Sequence, residues 1–211
     1  MKRTTIVSTR TAKLQRLFEV AATQAGYFSA RRARELGYSA RALVHHVDAG
    51  HLERVSRGFY RLLGVPPVPH EDVIATWLRF APRGAVVSHD TALTLYELGA
   101  SRSHEIHLTL PRRHRPRSPQ SATGIRLHTT VVPLRRDEVT SRFGVQVTSP
   151  ARTLTDVADI GADPSVVIDA TARALASGLV SPAELRSAVH SRSARVRQLL
   201  ERAIQEVNER A

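Results

Sequence analysis

The chain of 211 residues contains no cysteine. Disulfide bridges, thiolate zinc sites and cysteine nucleophiles are therefore excluded. Aromatic residues make up only 5% of the sequence, so a core must rest on Leu, Val, Ile and Ala. No stretch of about 18 apolar residues occurs, and no membrane-spanning helix is expected. The first ten residues are basic but lack the apolar segment of a secretion signal, so the expected location is cytoplasmic.

Acidic residues are also scarce, with 19 Asp and Glu against 31 Lys and Arg, and the net charge is +12. The excess is uneven, because residues 1–66 hold 12 basic and four acidic side chains, whereas residues 151–211 hold eight of each. A basic chain can owe its charge to solubility alone. The concentration of charge at one end favours a polyanionic partner for the first third of the chain.

Three short helices are predicted in that first third. Apolar residues at helical spacing predict a helix over residues 11–25. Ser29 is a natural N-cap for a helix over 30–36, and Ser39 is one for a helix that runs to Ala49. The last of these helices is expected to bury Leu43, Val44 and Val47. Two short helices joined by a glycine turn are typical of a helix-turn-helix.

A basic hairpin is predicted directly after these helices. Residues 52–55 and 59–62 are patterned as short strands, and Arg57 lies in the turn between them, followed by Gly58. A hairpin after the second helix is the wing of a winged helix-turn-helix. The fold predicted for residues 1–64 is therefore a DNA-binding winged helix.

DNA geometry divides the polar residues of this module into two sets. The start and outer face of the second helix are expected to meet base edges in the major groove, through Ser39, Arg41 and His45. Five further arginines are expected to hold phosphates: Arg31, Arg32, Arg34, Arg54 and Arg57. Two alternatives stay open, namely that these arginines form only a solvated face, or that the module binds protein.

No metal site is predicted in the module. His45 and His46 are adjacent on a helix and point about 100° apart. His51 follows, but no carboxylate completes a ligand set.

The stretch ARELGYSARALVHHVDAGHLERVSRGFYRL resembles the N-terminal domain of the AbiEi family, over about residues 13–64. Proteins of this family are antitoxins of type IV toxin–antitoxin systems and transcriptional autorepressors. The resemblance implies DNA contacts by Arg41 and His45 on the helix and by Arg57 on the wing.

A proline-rich linker over residues 65–69 precedes a second domain, residues 70–211, for which an α+β fold is predicted. A first helix is expected over 70–80. Strands are expected near 85–87, 104–110, 125–128 and 145–148, with a less certain one at 131–133. Helices are expected from Ser149-Pro150, Asp163-Pro164 and Ser181-Pro182, and over 193–208, to form a C-terminal helical bundle.

The segments AVVSHDTALTLYELG, IHLTLPRRHRPR and VTSPARTLTDVA extend the resemblance into this domain. Many such chains end in a restriction-type nuclease domain. Here no separated Asp…Glu-x-Lys constellation follows residue 160, so no enzymatic activity is expected.

Three features of the second domain are candidates for a chemical or binding role. The consecutive Ser88, His89 and Asp90 cannot converge as a catalytic triad, so Ser88 is predicted to cap a helix and His89 to be a structural histidine. A basic loop is expected to contact nucleic acid or an acidic partner, or to be plainly solvated; its arginines are Arg112, Arg113, Arg115 and Arg117. Arg152 and Asp156 are predicted to form a surface ion pair. No cofactor or metal motif is found.

The leading hypothesis is thus a DNA-binding autorepressor and antitoxin that binds inverted repeats in an operator. The resemblance implies that it opposes a nucleotidyltransferase toxin, without requiring a stable complex. The alternative is a stand-alone transcription factor whose second domain senses a ligand or dimerises, and a nucleic-acid enzyme is a third possibility.

Overall fold

The computed structural model describes residues 15–99, 104–115 and 124–210. The chain forms two compact units, Met1–Pro82 and Arg83–Ala211, called the N-terminal and C-terminal units below. Helices and a small sheet come first, and a larger sheet and further helices follow. The predicted α+β class is confirmed. None of the helices in the described ranges combines the length and apolar character needed to cross a bilayer.

The N-terminal unit has four helices and three strands in the described residues. In chain order these are α1 (helical residues 15–22), β1 (Tyr27–Ser29), α2 (Ala30–Glu35), α3 (Ala40–Asp48), β2 (Leu52–Ser56), β3 (Phe59–Leu62) and α4 (Glu71–Phe80). The strands form an antiparallel sheet in the order β1-β3-β2. This is the arrangement of a winged helix-turn-helix, as the sequence predicts.

Serine caps begin both short helices. The Ser29 hydroxyl accepts a hydrogen bond from the Arg32 amide, and the Ser39 hydroxyl accepts one from the Ala42 amide, each at 3.1 Å. Each bond satisfies an amide that has no partner within its helix, so the two predicted helix starts are confirmed.

The core of this unit lies between the helices and the sheet. Its buried residues are Leu17, Ala21, Phe28, Ala33, Tyr38, Leu43, Leu52, Tyr60 and Leu62. Phe28 stacks on Tyr60 across β1 and β3 with ring centroids 5.9 Å apart. Gly26 precedes β1 with a φ of +87°, and a Cβ at that position would lie 3.0 Å from the Leu62 carbonyl oxygen. Glycine is therefore required at this close approach.

In this unit one strand was not predicted and one expectation is wrong. Strand β1 was not predicted, because three residues are too few to show an alternating pattern. Val44 was expected in the core but is 54% exposed, whereas its neighbour Leu43 is 2% exposed. Successive helical residues point about 100° apart, so Leu43 takes the inward position and Val44 faces solvent.

Helix α4 packs with the N-terminal unit, although the sequence-based boundary at residues 65–69 precedes it. Glu71 accepts a hydrogen bond from the Tyr27 hydroxyl at 2.9 Å and pairs with Arg61 at 2.9 Å. These contacts join the start of α4 to β1 and β3. The structure accordingly places the boundary between its two units after Pro82.

The C-terminal unit has a mixed five-stranded sheet in the order β6-β5-β4-β8-β7. Its elements are β4 (Val86–Val87), α5 (His89–Leu95), β5 (Ile106–Pro111), β6 (Ile125–Thr130), β7 (Val139–Arg142), β8 (Val145–Thr148), α6 (Pro150–Asp159), α7 (Pro164–Ala176), α8 (Pro182–Val189) and α9 (Ala194–Arg210). β5 pairs in parallel with β6 and antiparallel with β4.

The helix starts predicted from proline are confirmed at Pro150, Pro164 and Pro182. Ser181 and Glu184 form a reciprocal capping box at the start of α8. Strand β7 was not predicted. The possible strand at 131–133 is absent, and its two valines are 77% and 72% exposed.

Candidate functional site

The outward face of α3 carries three neighbouring exposed side chains: Arg41, Val44 and His45. Their spacing of three and four residues places them on one side of the helix. Arg41 has no ion-pair partner among the described residues. The face therefore offers a guanidinium, an apolar group and an imidazole. These groups are suited to a guanine edge, a thymine methyl and a hydrogen-bond acceptor on a base, in that order.

The wing turn carries Arg57, which is exposed and unpaired within the described part of the chain. The next residue, Gly58, has a φ of +73° and so supplies the left-handed conformation that the turn needs. The Ala30 amide donates to the Gly58 carbonyl at 2.8 Å. This bond fixes the wing turn against the start of α2. Arg54 on β2 is also exposed.

The arginines on α2 differ from one another. Arg31 and Arg32 both pair with Glu35, at 3.2 Å and 3.0 Å. Hydrogen bonds from Arg32, and then from Arg31, hold the pKa of Glu35 below its usual range. Arg34 is exposed and has no such pair among the described residues. Exposed pairs of this kind exchange partners at little cost, so all three arginines stay available to phosphates.

Two of the remaining positions in this unit have other contacts. Ser39 uses its hydroxyl to cap α3, so that oxygen is already engaged. His46 and His51 approach each other, with their Nδ1 atoms 3.4 Å apart. The ring of His45 is 5.8 Å from that of His46.

The predicted basic loop lies partly outside the described residues, and Arg117 falls there. Arg112 and Arg113 lie in a short 3-10 turn after β5, and both are exposed, as is Arg115. His114 holds this turn to the start of the unit, because its Nδ1 atom lies 2.7 Å from the Arg83 carbonyl oxygen.

A cluster of three histidines lies inside the C-terminal unit. His89 begins α5, His107 lies on β5 and His128 on β6. One ring nitrogen of each lies within 4.8 Å of those of the other two. The rings of His89 and His128 stack with centroids 3.5 Å apart. His89 and His107 are 5% and 1% exposed, so the cluster is mostly buried.

Burial controls the charge state of this cluster. Desolvation, followed by the charges of the neighbouring imidazoles, lowers the pKa of His89 to about 2 and that of His128 to about 4. Burial also lowers the pKa of His107. All three rings are therefore neutral at physiological pH, and each offers one nitrogen lone pair.

Ser88 does not cap α5 with its side chain, contrary to the sequence-based expectation. Its hydroxyl lies 2.9 Å from Nδ1 of His89 and accepts a hydrogen bond from the Thr109 hydroxyl at 2.8 Å. The expectation of a structural, buried His89 agrees with its position.

The Arg152–Asp156 pair is not a simple surface pair. Asp156 is 4% exposed and accepts two hydrogen bonds from Arg152, at 2.9 Å and 2.8 Å. Arg192 also donates to Asp156, at 2.7 Å. Arg152 further pairs with Glu138, and Arg192 with Asp159. The pair is thus the centre of a largely buried network that joins α6 to the 3-10 turn before β7 and to the turn before α9.

One feature of the sequence points to the histidine cluster. His107 alternates with the apolar Ile106 and Leu108 on β5, and a polar residue at alternate strand positions indicates a second face with its own partners. The three histidines come from separate segments, so no linear ligand spacing brings them together.

The N-terminal unit therefore defines a protein with a winged helix-turn-helix whose helix α3 and wing expose basic side chains. Residues 15–63 match the family described as AbiEi antitoxin transcriptional regulators, which confirms the resemblance seen in the sequence of this segment. A search among functionally curated proteins finds none that matches the chain.

Among solved structures, the chain is similar to the crystal structure of the Rv2827c protein from Mycobacterium tuberculosis. The TM-score is 0.54 at 15% sequence identity, over 91% of this chain and 77% of that chain. At this identity the likeness concerns the fold alone.

Proposed function

We propose that the chain is a DNA-binding transcriptional autorepressor and the antitoxin of a type IV toxin–antitoxin system that opposes a nucleotidyltransferase toxin. The observation that carries the DNA-binding part is the exposed face of α3, where Arg41, Val44 and His45 lie together. The family match over residues 15–63 supports the regulatory and antitoxin parts. Binding to DNA is consistent with the cytoplasmic location that the sequence predicts.

In this proposal α3 enters the major groove and the wing follows the adjacent backbone. Arg41 and His45 read base edges, and Val44 adds an apolar contact to a thymine methyl. Arg34, Arg54 and Arg57 hold phosphates and fix the register of the helix in the groove. The protein binds and represses; no chemical step is assigned to it.

The test of DNA binding is fluorescence anisotropy with the purified chain and a duplex from upstream of its own coding sequence. A shuffled duplex of equal composition serves as the comparison. We expect the upstream duplex to bind about 10³-fold more tightly or better. Equal affinity for the two duplexes would contradict the proposed repressor.

The antitoxin part has a separate test. The genes beside its own are searched for a nucleotidyltransferase; the chain is co-expressed with that enzyme, and growth is compared with that of cells expressing the enzyme alone. Restored growth is expected, including when Arg41→Ala removes operator binding. Failure to restore growth would contradict the antitoxin role and leave the repressor role standing.

A second candidate is a stand-alone regulator whose C-terminal unit senses a ligand. It is favoured by a cavity of about 390 Å³ in that unit, lined by His89, His128, Arg152 and Arg192 among others. The absence of a neighbouring nucleotidyltransferase gene would favour this candidate over the antitoxin.

A further inference from the structure

The three buried histidines of the C-terminal unit have the donor set of a transition-metal site. Three neutral imidazoles from His89, His107 and His128 present ring nitrogens within 4.8 Å of one another. Among the described residues, no other group of three possible ligands lies so close together. Imidazole nitrogen suits zinc and its neighbours in the first transition row, whereas calcium and magnesium take oxygen ligands.

Two of the candidate ligand atoms already lie at the distance that a shared metal ion requires. Nε2 of His128 lies 3.3 Å from Nδ1 of His107. Two ligands of a tetrahedral zinc ion, each about 2.0–2.1 Å from the metal, are about 3.3 Å apart. The ring nitrogen of His89 lies within 4.8 Å of the other two, and binding one shared ion would require the stacked His89 imidazole to rotate towards them.

The surroundings of the cluster supply the contacts that orient such ligands. A histidine that binds a metal through one nitrogen usually donates a hydrogen bond from the other. Ser88 provides that acceptor to His89, because its hydroxyl lies 2.9 Å from Nδ1.

The cluster is also reachable. His89 and His128 line the cavity of about 390 Å³, which gives an ion a route to these two imidazoles. Arg152 and Arg192 line the same cavity, but they are paired with Asp156, Asp159 and Glu138. This pairing reduces the positive potential at the cluster without cancelling it, because Arg152 and Arg192 still lower the pKa of His89.

We propose that His89, His107 and His128 bind one divalent transition-metal ion of the zinc class, with a fourth position open to the cavity. The proposal is independent of DNA binding and of the antitoxin role. It assigns to the C-terminal unit a ligand that neither the family match nor the fold likeness names.

The first experiment is isothermal titration calorimetry of the full chain with Zn²⁺ after dialysis against a chelator. We expect one tightly bound ion per chain and a higher Tm in its presence, because an ion that binds only the folded state stabilises it. Absence of stoichiometric binding would overturn the proposal.

The second experiment identifies the ligands by substitution. His128→Gln is expected to abolish tight binding, and its secondary structure is checked by circular dichroism. The matched control is His46→Gln with His51→Gln, which removes the surface pair whose Nδ1 atoms are 3.4 Å apart. Binding that survives in His128→Gln and disappears in the double variant would place the ion at the surface and overturn the proposal.

A measurement on the unaltered chain covers the case in which His128→Gln does not fold. The Co²⁺ form is studied by paramagnetic proton NMR, where each bound imidazole gives one shifted, exchangeable N–H signal. Three such signals are expected. Two signals or fewer would contradict a three-histidine site.

Discussion

The amide of Ala30, the first residue of α2, donates a 2.8 Å hydrogen bond to the carbonyl of Gly58 in the wing turn. The bond connects the helix-turn-helix to the hairpin that follows it. The wing turn is therefore fixed relative to α2, the helix that precedes α3. Arg57 precedes Gly58 and is therefore carried by a fixed turn. The positive φ of Gly58, +73°, is part of that geometry.

The first prediction concerns this turn. In Gly58→Ala an L side chain must adopt a left-handed conformation, which costs about 1–2 kcal/mol. We expect a lower midpoint in urea denaturation and weaker DNA binding. Gly99→Ala is the control, because Gly99 does not have a positive φ and a Cβ there meets nothing within 4 Å. Equal stability of the two variants would show that the turn is not constrained.

The second prediction concerns Val44, which is 54% exposed on α3. Val44→Ser should leave stability within about 0.5 kcal/mol of the unaltered chain, since the site is on the surface. Affinity for the upstream duplex should fall while affinity for a shuffled duplex stays the same, because the lost contact is to a base. Val68→Ser, at a position 37% exposed outside the helix-turn-helix, is the control. A loss shared by both duplexes would contradict a base contact.

Local signals predicted much of the fold. Serine caps located α2, α3 and α8, and proline located the starts of α6, α7 and α8. Each of these signals depends on residues next to one another in the chain. Strands β1 and β7 were missed because both are short, and their places are set by pairing with β3 and β8.

The candidate DNA-binding residues could be named from the sequence, but their partners could not. Glu35 pairs with two of the predicted phosphate arginines, and Val44 joins the reading face instead of the core. In the C-terminal unit, His89, His107 and His128 meet only because α5, β5 and β6 pack together.

The third prediction concerns the buried ion network. Asp156→Asn removes the charge that Arg152 and Arg192 share, and leaves both guanidinium groups poorly compensated in a largely buried site. A loss of about 3–5 kcal/mol in the free energy of unfolding is expected. Glu201→Gln is the control, because its pair with Arg186 is exposed and is worth about 0–1 kcal/mol. Chemical denaturation of both variants measures the difference, and similar losses would contradict a buried network.

The fourth prediction is a pH dependence of stability in metal-free protein. Burial first, and then neighbouring charges, lower the pKa of His89 to about 2 and that of His128 to about 4. Above about pH 6.5 these histidines are neutral in both the folded and unfolded states. Below it the unfolded chain takes up protons that the folded chain does not, so stability falls as the pH decreases towards 4.

The measurement is urea denaturation between pH 7 and pH 4 in the presence of a chelator. His128→Gln removes one of the titrating groups and should flatten the decrease by up to about 1.4 kcal/mol per pH unit. The same slope in both proteins would show that His128 titrates normally when folded.

The most direct test of the central claim, that α3 and the wing bind DNA, is the salt dependence of binding to the upstream duplex. It is measured for the unaltered chain, Arg41→Ala, Arg57→Ala and the control Arg79→Ala, an exposed arginine on α4. Arg57→Ala should lower the slope of log K against log[salt] by about one, because one phosphate contact is lost. Arg41→Ala should cost about 1–3 kcal/mol of preference for the upstream duplex, and Arg79→Ala should change neither quantity. Affinities and slopes that are the same in all four proteins would contradict the account.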